Sequence, residues 1–283
     1  MVDLIVFPSS FFDIRSVDED LQSEYDAVKN TGLFEVVFFG YEKWFQEDKL
    51  VLSCKQEQMR NAVYRGWMMK PDKYERFYQS LLEQNIKLIT SPKEYERMHI
   101  FPNIYEAFRE DTAKMTIYPL HEKIDVLELK KSYNKFIVKD FVKSVKGTDF
   151  PRDFDKSITQ ECFDAWMEIF YQYIGNLLTG GICIKEFLDL KYYGKRLNEY
   201  RVFYMNHEIA TISPNSAQPA FAKKVPMELV EKYKNLESIY YTVDFAELED
   251  GSWRVIEAGD GSVSGLSEGQ DAESYFRKLY YLF

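Results

Sequence analysis

Asp244 and Glu257 stand thirteen residues apart in a stretch, Tyr241 to Asp260, that reads as a β-hairpin, and its register sets the two carboxylates side by side. Asp250-Gly251 is a strong two-residue turn signal between the apolar-rich runs Thr242-Val243-Asp244-Phe245-Ala246 and Trp253-Arg254-Val255-Ile256-Glu257. Pairing outward from that turn places Leu248 against Trp253, Glu247 against Arg254, Ala246 against Val255, Phe245 against Ile256 and Asp244 against Glu257. A four-residue loop from Glu249 to Ser252 leaves those pairs unchanged, and the Glu247/Arg254 match supports them. Like charges directly opposite each other cost a ladder roughly 0.2–1 kcal/mol. Two carboxylates at the open end of an otherwise apolar face therefore point to a divalent cation.

Cations precede this hairpin in the chain. A strand-like run, Lys135-Phe136-Ile137-Val138-Lys139, leads into a loop carrying the basic cluster Lys139, Lys143, Lys146, Arg152 and Lys156. Taken alone, such a cluster reads first as a solvated loop. The net charge of −10 disfavours broad attraction to nucleic acid or to an anionic membrane, so a basic cluster in this chain is a local device. Three histidines make a zinc centre improbable, and three cysteines without C-x-x-C spacing argue against a disulfide framework. At 283 residues with 46% hydrophobic and 17% aromatic content, the chain can bury one large core or two to three lobes. No run of about 18 apolar residues occurs, and Met1-Val2-Asp3-Leu4-Ile5-Val6-Phe7 enters a strand pattern without a leader, so the expected location is cytoplasmic.

The elements that must position these groups fall into two parts. Residues 1–110 alternate strand and helix patterns: Leu4-Ile5-Val6-Phe7, a helix near Asp18 to Lys29, Phe34 to Phe39, Ala62-Val63-Tyr64, a helix near Lys73 to Gln84, and Lys87-Leu88-Ile89-Thr90. This predicts an α/β layer with a largely parallel sheet. Ligands gather beyond the carboxyl ends of strands in such sheets, which makes Arg65, directly after Tyr64, either a substrate anchor or a surface arginine beside a turn. Residues 111–283 change character. An amphipathic helix is predicted from Ile158 to Thr179, with Phe163, Trp166, Phe170, Ile174 and Leu177 on one stripe and Gly180-Gly181 as its stop. Ile182 to Leu188, Tyr200 to Met205 and Ile209 to Ile212 follow as strands, then helices near Met227 to Leu236 and Ala272 to Leu282 flank the acidic hairpin.

In chain order the second part supplies a lysine ending a strand, a basic loop, a second lysine in Lys185-Glu186-Phe187-Leu188, Glu199-x-Arg201, and an Asp…Glu-x-x-Asp hairpin. Together these resemble the nucleotide-binding half of the ATP-grasp superfamily, and residues 1–110 resemble its Rossmann-like preceding domain. Glu257-Ala258-Gly259-Asp260-Gly261-Ser262-Val263-Ser264-Gly265-Leu266 resembles the E-x-G-D-G-x-V-S-G-L tail of the ATP-grasp clade named for one arginine and two lysines. The resemblance implies a small lobe over about 111–186 and a large lobe over about 187–283.

It also implies roles. Lys139 and the loop holding Lys143 and Lys146 would close over the phosphates of ATP. Lys185, Glu186, Phe187 and Leu188 would border the adenine, although Phe187-Leu188 also reads as plain core. Glu199 would hold ribose hydroxyls and Arg201 would face the transferring phosphate with its planar, permanently charged fork, or the two would merely neutralise each other. Asp244 and Glu257 would hold magnesium, with manganese as a substitute. Position 259 is glycine where many relatives have a third ligand, so Asp260 is either the replacement ligand or a turn residue. Lys139 and Arg201 would be the catalytic cations. The implied reaction is amide or peptide bond formation between a carboxylate and an amine through an acylphosphate, with amino acids or peptides as candidate substrates. Phosphotransfer to another acceptor and nucleotide binding without catalysis are the alternative readings.

Overall fold

The computed structural model describes residues 2–142 and 148–283. Its first layer is a sheet of four parallel strands, β1 (Leu4–Pro8), β2 (Glu35–Phe39), β3 (Arg60–Tyr64) and β4 (Ile86–Leu88), in the order β2-β1-β3-β4. Strand parity sends Leu4 and Val6 of β1 to one face and Ile5 and Phe7 to the other, and all four are buried. A strand covered on both sides must be apolar throughout, as this one is. Helix α1 (Gln22–Thr31) packs on the Ile5/Phe7 face. Helices α2 (Tyr41–Glu47), α3 (Pro71–Leu82) and α4 (Pro92–His99) pack on the other. The start of α4 is fixed by a capping box, in which Ser91 and Glu94 each accept from the other's backbone N–H while Pro92 takes a position that needs no donor. Helix α5 (Phe101–Phe108) follows after Ile100 and leads out of this layer.

The next layer is the sheet β5-β8-β6-β7, built from β5 (Met115–Tyr118), β6 (Lys135–Asp140), β7 (Phe154–Asp155) and β8 (Ile182–Glu186). Helices α6 (Val126–Ser132) and α7 (Gln160–Ile174) cover its Phe136/Val138 face. The stripe Phe163, Met167, Phe170 and Ile174 forms the buried side of α7. The helix ends at Gly175, whose φ of 50° no longer follows the helix, and Leu177 beyond it is 63% exposed. The predicted extension to Thr179 is therefore corrected: Gly175, five residues before the expected stop, releases the chain.

A short hairpin, β9 (Tyr192–Tyr193) with β10 (Arg196–Leu197), precedes the third sheet, of order β12-β11-β13-β14. It comprises β11 (Glu199–Met205), β12 (Glu208–Pro214), β13 (Tyr240–Glu247) and β14 (Trp253–Asp260), all antiparallel to their neighbours. Helices α5 and α8 (Met227–Lys232) pack on the face carrying Val243, Phe245, Val255 and Ala258. The last helix, α9 (Ala272–Leu282), returns to α1 and closes the core that joins the first and third sheets through Phe203, Met205, Tyr275 and Phe276.

The acidic hairpin differs from its expected register in two compensating ways. Gly251, at φ 83°, closes a turn in which its N–H donates to the Leu248 carbonyl, and the Leu248 N–H donates to Ser252. This loop is one residue longer than a two-residue turn, so Glu247 pairs with Trp253, not Arg254, and Phe245 with Val255, not Ile256. A bulge between Asp244 and Phe245 then absorbs Ile256 as an extra residue, and Asp244 faces Glu257 after all.

Candidate active site

The bulge decides what the cleft contains. Val255 and Ala258 both point into the core beside α5, and Ile256 and Glu257 both border the space between the second and third sheets. Arg201 pairs with Asp244 across β11 and β13, and Asp244 with Glu257 across β13 and β14, so one rung of the sheet carries a cation and two carboxylates. The Arg201 guanidinium clasps Asp244 with two hydrogen bonds, Nε to Oδ1 at 2.9 Å and Nη2 to Oδ2 at 2.7 Å, and Nη1 donates to the Gly265 carbonyl at 3.0 Å. Burial pushes the Asp244 carboxyl up to about 6, against the opposing pull of Arg201. A group in that position gains from any added positive charge.

The facing wall comes from the second sheet. Ile137 pairs with Lys185 and Lys139 with Cys183, so parity puts both lysines on the face that looks at the hairpin. Lys139 is 8% exposed and Lys185 5% exposed, and both ammoniums lie over the Phe101 ring, at 5.9 and 4.3 Å from its centre. Lys185 Nζ also donates to the Ile256 carbonyl, which the bulge presents at 2.9 Å. Burial lowers Lys185 to about 7, Lys139 lowers it further in the same sense, and Glu257 opposes both. Lys139, Lys185, Arg201, Asp244 and Glu257 thus line one cavity of about 470 Å³.

That cavity continues into a second of about 700 Å³, with Ile137, Lys185, Ile256 and Glu257 belonging to both. Glu186, Phe187, Leu188 and Glu199 border the second compartment, as do Tyr192 and Leu197 of the β9–β10 hairpin. The Phe187 ring carries two cations, Lys135 Nζ at 3.8 Å and the Arg152 guanidinium at 4.9 Å from its centre. Arg201 makes its ion pair with Asp244, while the Glu199 carboxylate accepts from Asn215 Nδ2 at 2.6 Å and Ser216 Oγ at 3.2 Å and acts on Arg201 only through its charge. The site is therefore a cleft with a charged end and a mostly apolar end, suited to a polyphosphate attached to a flat base.

Two expected members lie elsewhere. Arg65 is 2% exposed, its Nε and Nη2 are held by Glu24 at 2.8 and 2.7 Å, and its Nη1 donates to the Gly261 carbonyl and the Tyr240 hydroxyl. The guanidinium is consumed in joining α1, β3 and the end of β14, so it is not a free anchor for a substrate. Asp260 is fully buried and points to the opposite face from Glu257 and Gly259. Its Oδ1 accepts the Ser262 N–H at 2.9 Å, its Oδ2 has no hydrogen-bond partner among the described residues, and burial pushes the carboxyl up to about 7. As a metal ligand it is out of reach of the cleft. Lys143 and Lys146 lie outside the described residues.

Magnesium commonly takes one or two carboxylates together with phosphate oxygens and retained waters. Asp244 and Glu257, in a cavity shared with Lys139, Lys185 and Arg201, fit that donor set. Among the described residues no group of three His, Cys, Asp or Glu side chains gathers as a self-sufficient metal site. Sequence reasoning missed Phe101 and His99, which line the same cavity from the α4–α5 junction. The His99 ring stacks on Tyr95 at 4.9 Å, and Tyr95 in turn on Tyr74 at 3.8 Å, so packing fixes its position. Nothing in the local sequence marks either residue.

The model of an ATP-grasp domain, the third family of the clade named for one arginine and two lysines, matches residues 105–279, more than half of the chain, and the protein belongs to that family. The fold agrees with it. D-cycloserine synthetase DcsG superposes with a TM-score of 0.62 at 13% identity, covering 98% of this chain and 99% of that one. The D-alanine-D-alanine ligase from Coxiella burnetii gives 0.62 at 9% identity, over 99% and 93%. The ATP-grasp ligase PsnB, in a complex with minimal precursor, Mg and ADP, gives 0.55 at 11% identity, over 99% of both chains. Comparison with curated protein sequences returns no match. No helix among the described residues is long and apolar enough to cross a membrane.

Proposed function

We propose that the protein is an ATP- and magnesium-dependent ligase that joins a carboxylate to an amine through an acylphosphate. The observation that carries this reading is the convergence of Lys139, Lys185, Arg201, Asp244 and Glu257 on one cavity that opens into an apolar compartment. A carboxylate oxygen attacks the γ-phosphorus of ATP and ADP departs; the amine nitrogen then attacks the acyl carbon, phosphate leaves, and the nitrogen gives up a proton. Such transfers need positioning and charge neutralisation more than a protein nucleophile. Magnesium held by Asp244 and Glu257 would offset charge on the phosphates. Lys139 and Arg201 are the two catalytic cations, placed on opposite walls so that the migrating phosphoryl group stays between positive charges. Lys185 holds the phosphates near the lobe junction. Phe187, with the Glu186 and Leu188 segment, borders the base, and Glu199 sits where ribose hydroxyls would be met.

DcsG, the D-alanine-D-alanine ligase and PsnB are named as a synthetase and ligases, which supports bond formation over phosphotransfer in a chain of this fold. The test is to supply ATP, magnesium and a panel of amino acids and short peptides, and to follow ADP release with mass spectrometry of the product. A product equal in mass to two substrates less one water supports the ligase. A product heavier by one phosphoryl group, with no condensation, replaces this reading with a kinase.

A further inference from the structure

The rung of β13 and β14 next to Asp244/Glu257 pairs Thr242 with Gly259, and both face the cleft. A side chain at position 259 would not enter free space. A Cβ there would stand 3.2 Å from Ser264 Oγ and 3.5 Å from Thr242 Oγ1. Two hydroxyls thus occupy the place beside Glu257 where a third protein ligand would project, and they are hydrogen-bonded to each other at 2.8 Å.

The protons of this pair can be assigned. Ser264 Oγ lies 2.8 Å from the Asp260 carbonyl, which can only accept, so the Ser264 hydroxyl donates there. Thr242 Oγ1 lies 2.8 Å from Ser264 Oγ and 3.5 Å from the Gly259 carbonyl, so its hydrogen goes to one of these two acceptors, the nearer being Ser264. Both hydrogens are spent within the protein, and what the two oxygens still offer in the cavity they line is lone pairs. An oxygen pair with no hydrogen to offer suits a cation and repels a phosphate oxygen. It lies one rung from two carboxylates, in a cavity that it lines with them.

We propose that Thr242 Oγ1 and Ser264 Oγ together supply the third protein oxygen position for the divalent cation, in place of a side chain at residue 259. The backbone carbonyl of Asp260, and not its side chain, is what sets their orientation. The inference rests on the reading of Asp244 and Glu257 as the carboxylates that hold the cation.

Manganese binding to the full chain, titrated by electron paramagnetic resonance with the β,γ-imido analogue of ATP present, tests it without turnover. Thr242→Val removes the oxygen at nearly constant volume, and Ser264→Ala removes the other. Each is expected to weaken manganese binding by about tenfold, the scale seen when a supporting group of a metal site is lost. Thr242→Ser, which keeps the oxygen, is expected to bind as the parent does. If Thr242→Val and Ser264→Ala bind manganese like the parent while Asp244→Asn does not, the hydroxyl pair is excluded and the carboxylate site stands. If Thr242→Ser loses as much as Thr242→Val, packing and not oxygen is responsible, which also overturns the proposal. If Asp244→Asn too binds like the parent, the carboxylate reading fails and takes this inference with it.

Discussion

Replacing Lys185 with methionine should stabilise the nucleotide-free protein while weakening its hold on ATP. The Lys185 ammonium has an ordinary value of 10.5 and about 7 in the folded chain, a gap of 3.5 decades. At about 1.36 kcal/mol per decade, forcing the charge into this site costs an upper limit of about 5 kcal/mol below pH 7. The sign follows from the depressed value: the penalty is absent above pH 10.5, grows as pH falls, and is complete below about pH 7. Methionine also removes the donor to the Ile256 carbonyl, which returns about 1–3 kcal/mol of the gain. A net stabilisation of about 2–4 kcal/mol at pH 7 remains, falling to zero at a pH between about 8 and 10 and reversing above it. Thermal unfolding of Lys185→Met and parent across pH 6.5 to 10 reads it directly. Phosphates in the cleft should restore the charge, so at pH 8 ATP binding is expected to take up a proton and its heat to vary with the ionisation enthalpy of the buffer. Methionine should abolish that variation and weaken ATP at least tenfold. A stability difference that is the same at pH 7 and pH 10, or a destabilised variant at every pH, would refute the reasoning.

Asp244→Asn or Glu257→Gln should cut magnesium-dependent ATP turnover by about a hundredfold or more with the fold retained, as followed by coupled ADP assay and circular dichroism. Arg65→Met should act on stability and not on substrate use, because it strands Glu24 as a buried charge; denaturant unfolding is expected to show a loss of about 3–5 kcal/mol. Asp260→Asn should flatten the pH profile of stability in the opposite direction to Lys185. Its carboxyl is raised from 3.8 to about 7, so its contribution is intact below pH 3.8 and lost progressively as pH rises to about 7, and in thermal melts the asparagine variant should gain on the parent across that window and keep the gain above it.

The grouping of the candidate residues was legible because strand parity and residue order carry over into the fold. Lys139 and Lys185 end neighbouring strands of one sheet, and Arg201, Asp244 and Glu257 fall on one rung of another. The Asp244/Glu257 pairing was reached through a register that is wrong near the turn. A loop longer by one residue and a bulge of one residue cancel, and neither leaves a mark in the apolar pattern. Asp260 was misplaced although the information was present: it lies three residues from Glu257, and odd spacing along a strand means opposite faces. Thr242, two residues before Asp244, could have been found by the same rule. Arg65 could not have been resolved, since its partner Glu24 is 41 positions away on a helix whose packing only the folded core decides. His99 and Phe101 were invisible for the same reason.

The clasp between Arg201 and Asp244 gives the cleft a built-in counterion on each side. A cation arriving alone must draw Asp244 away from a guanidinium, and a phosphate arriving alone must draw Arg201 away from a carboxylate. Arriving together, they exchange partners: the metal takes the acid, the phosphate takes the base, and no charge is left unmatched. Binding of either should then raise the affinity for the other by the same factor, as linkage requires. The protein would discriminate against free nucleotide and free metal alike, accepting the two as one neutralised unit because its own ion pair is the competitor.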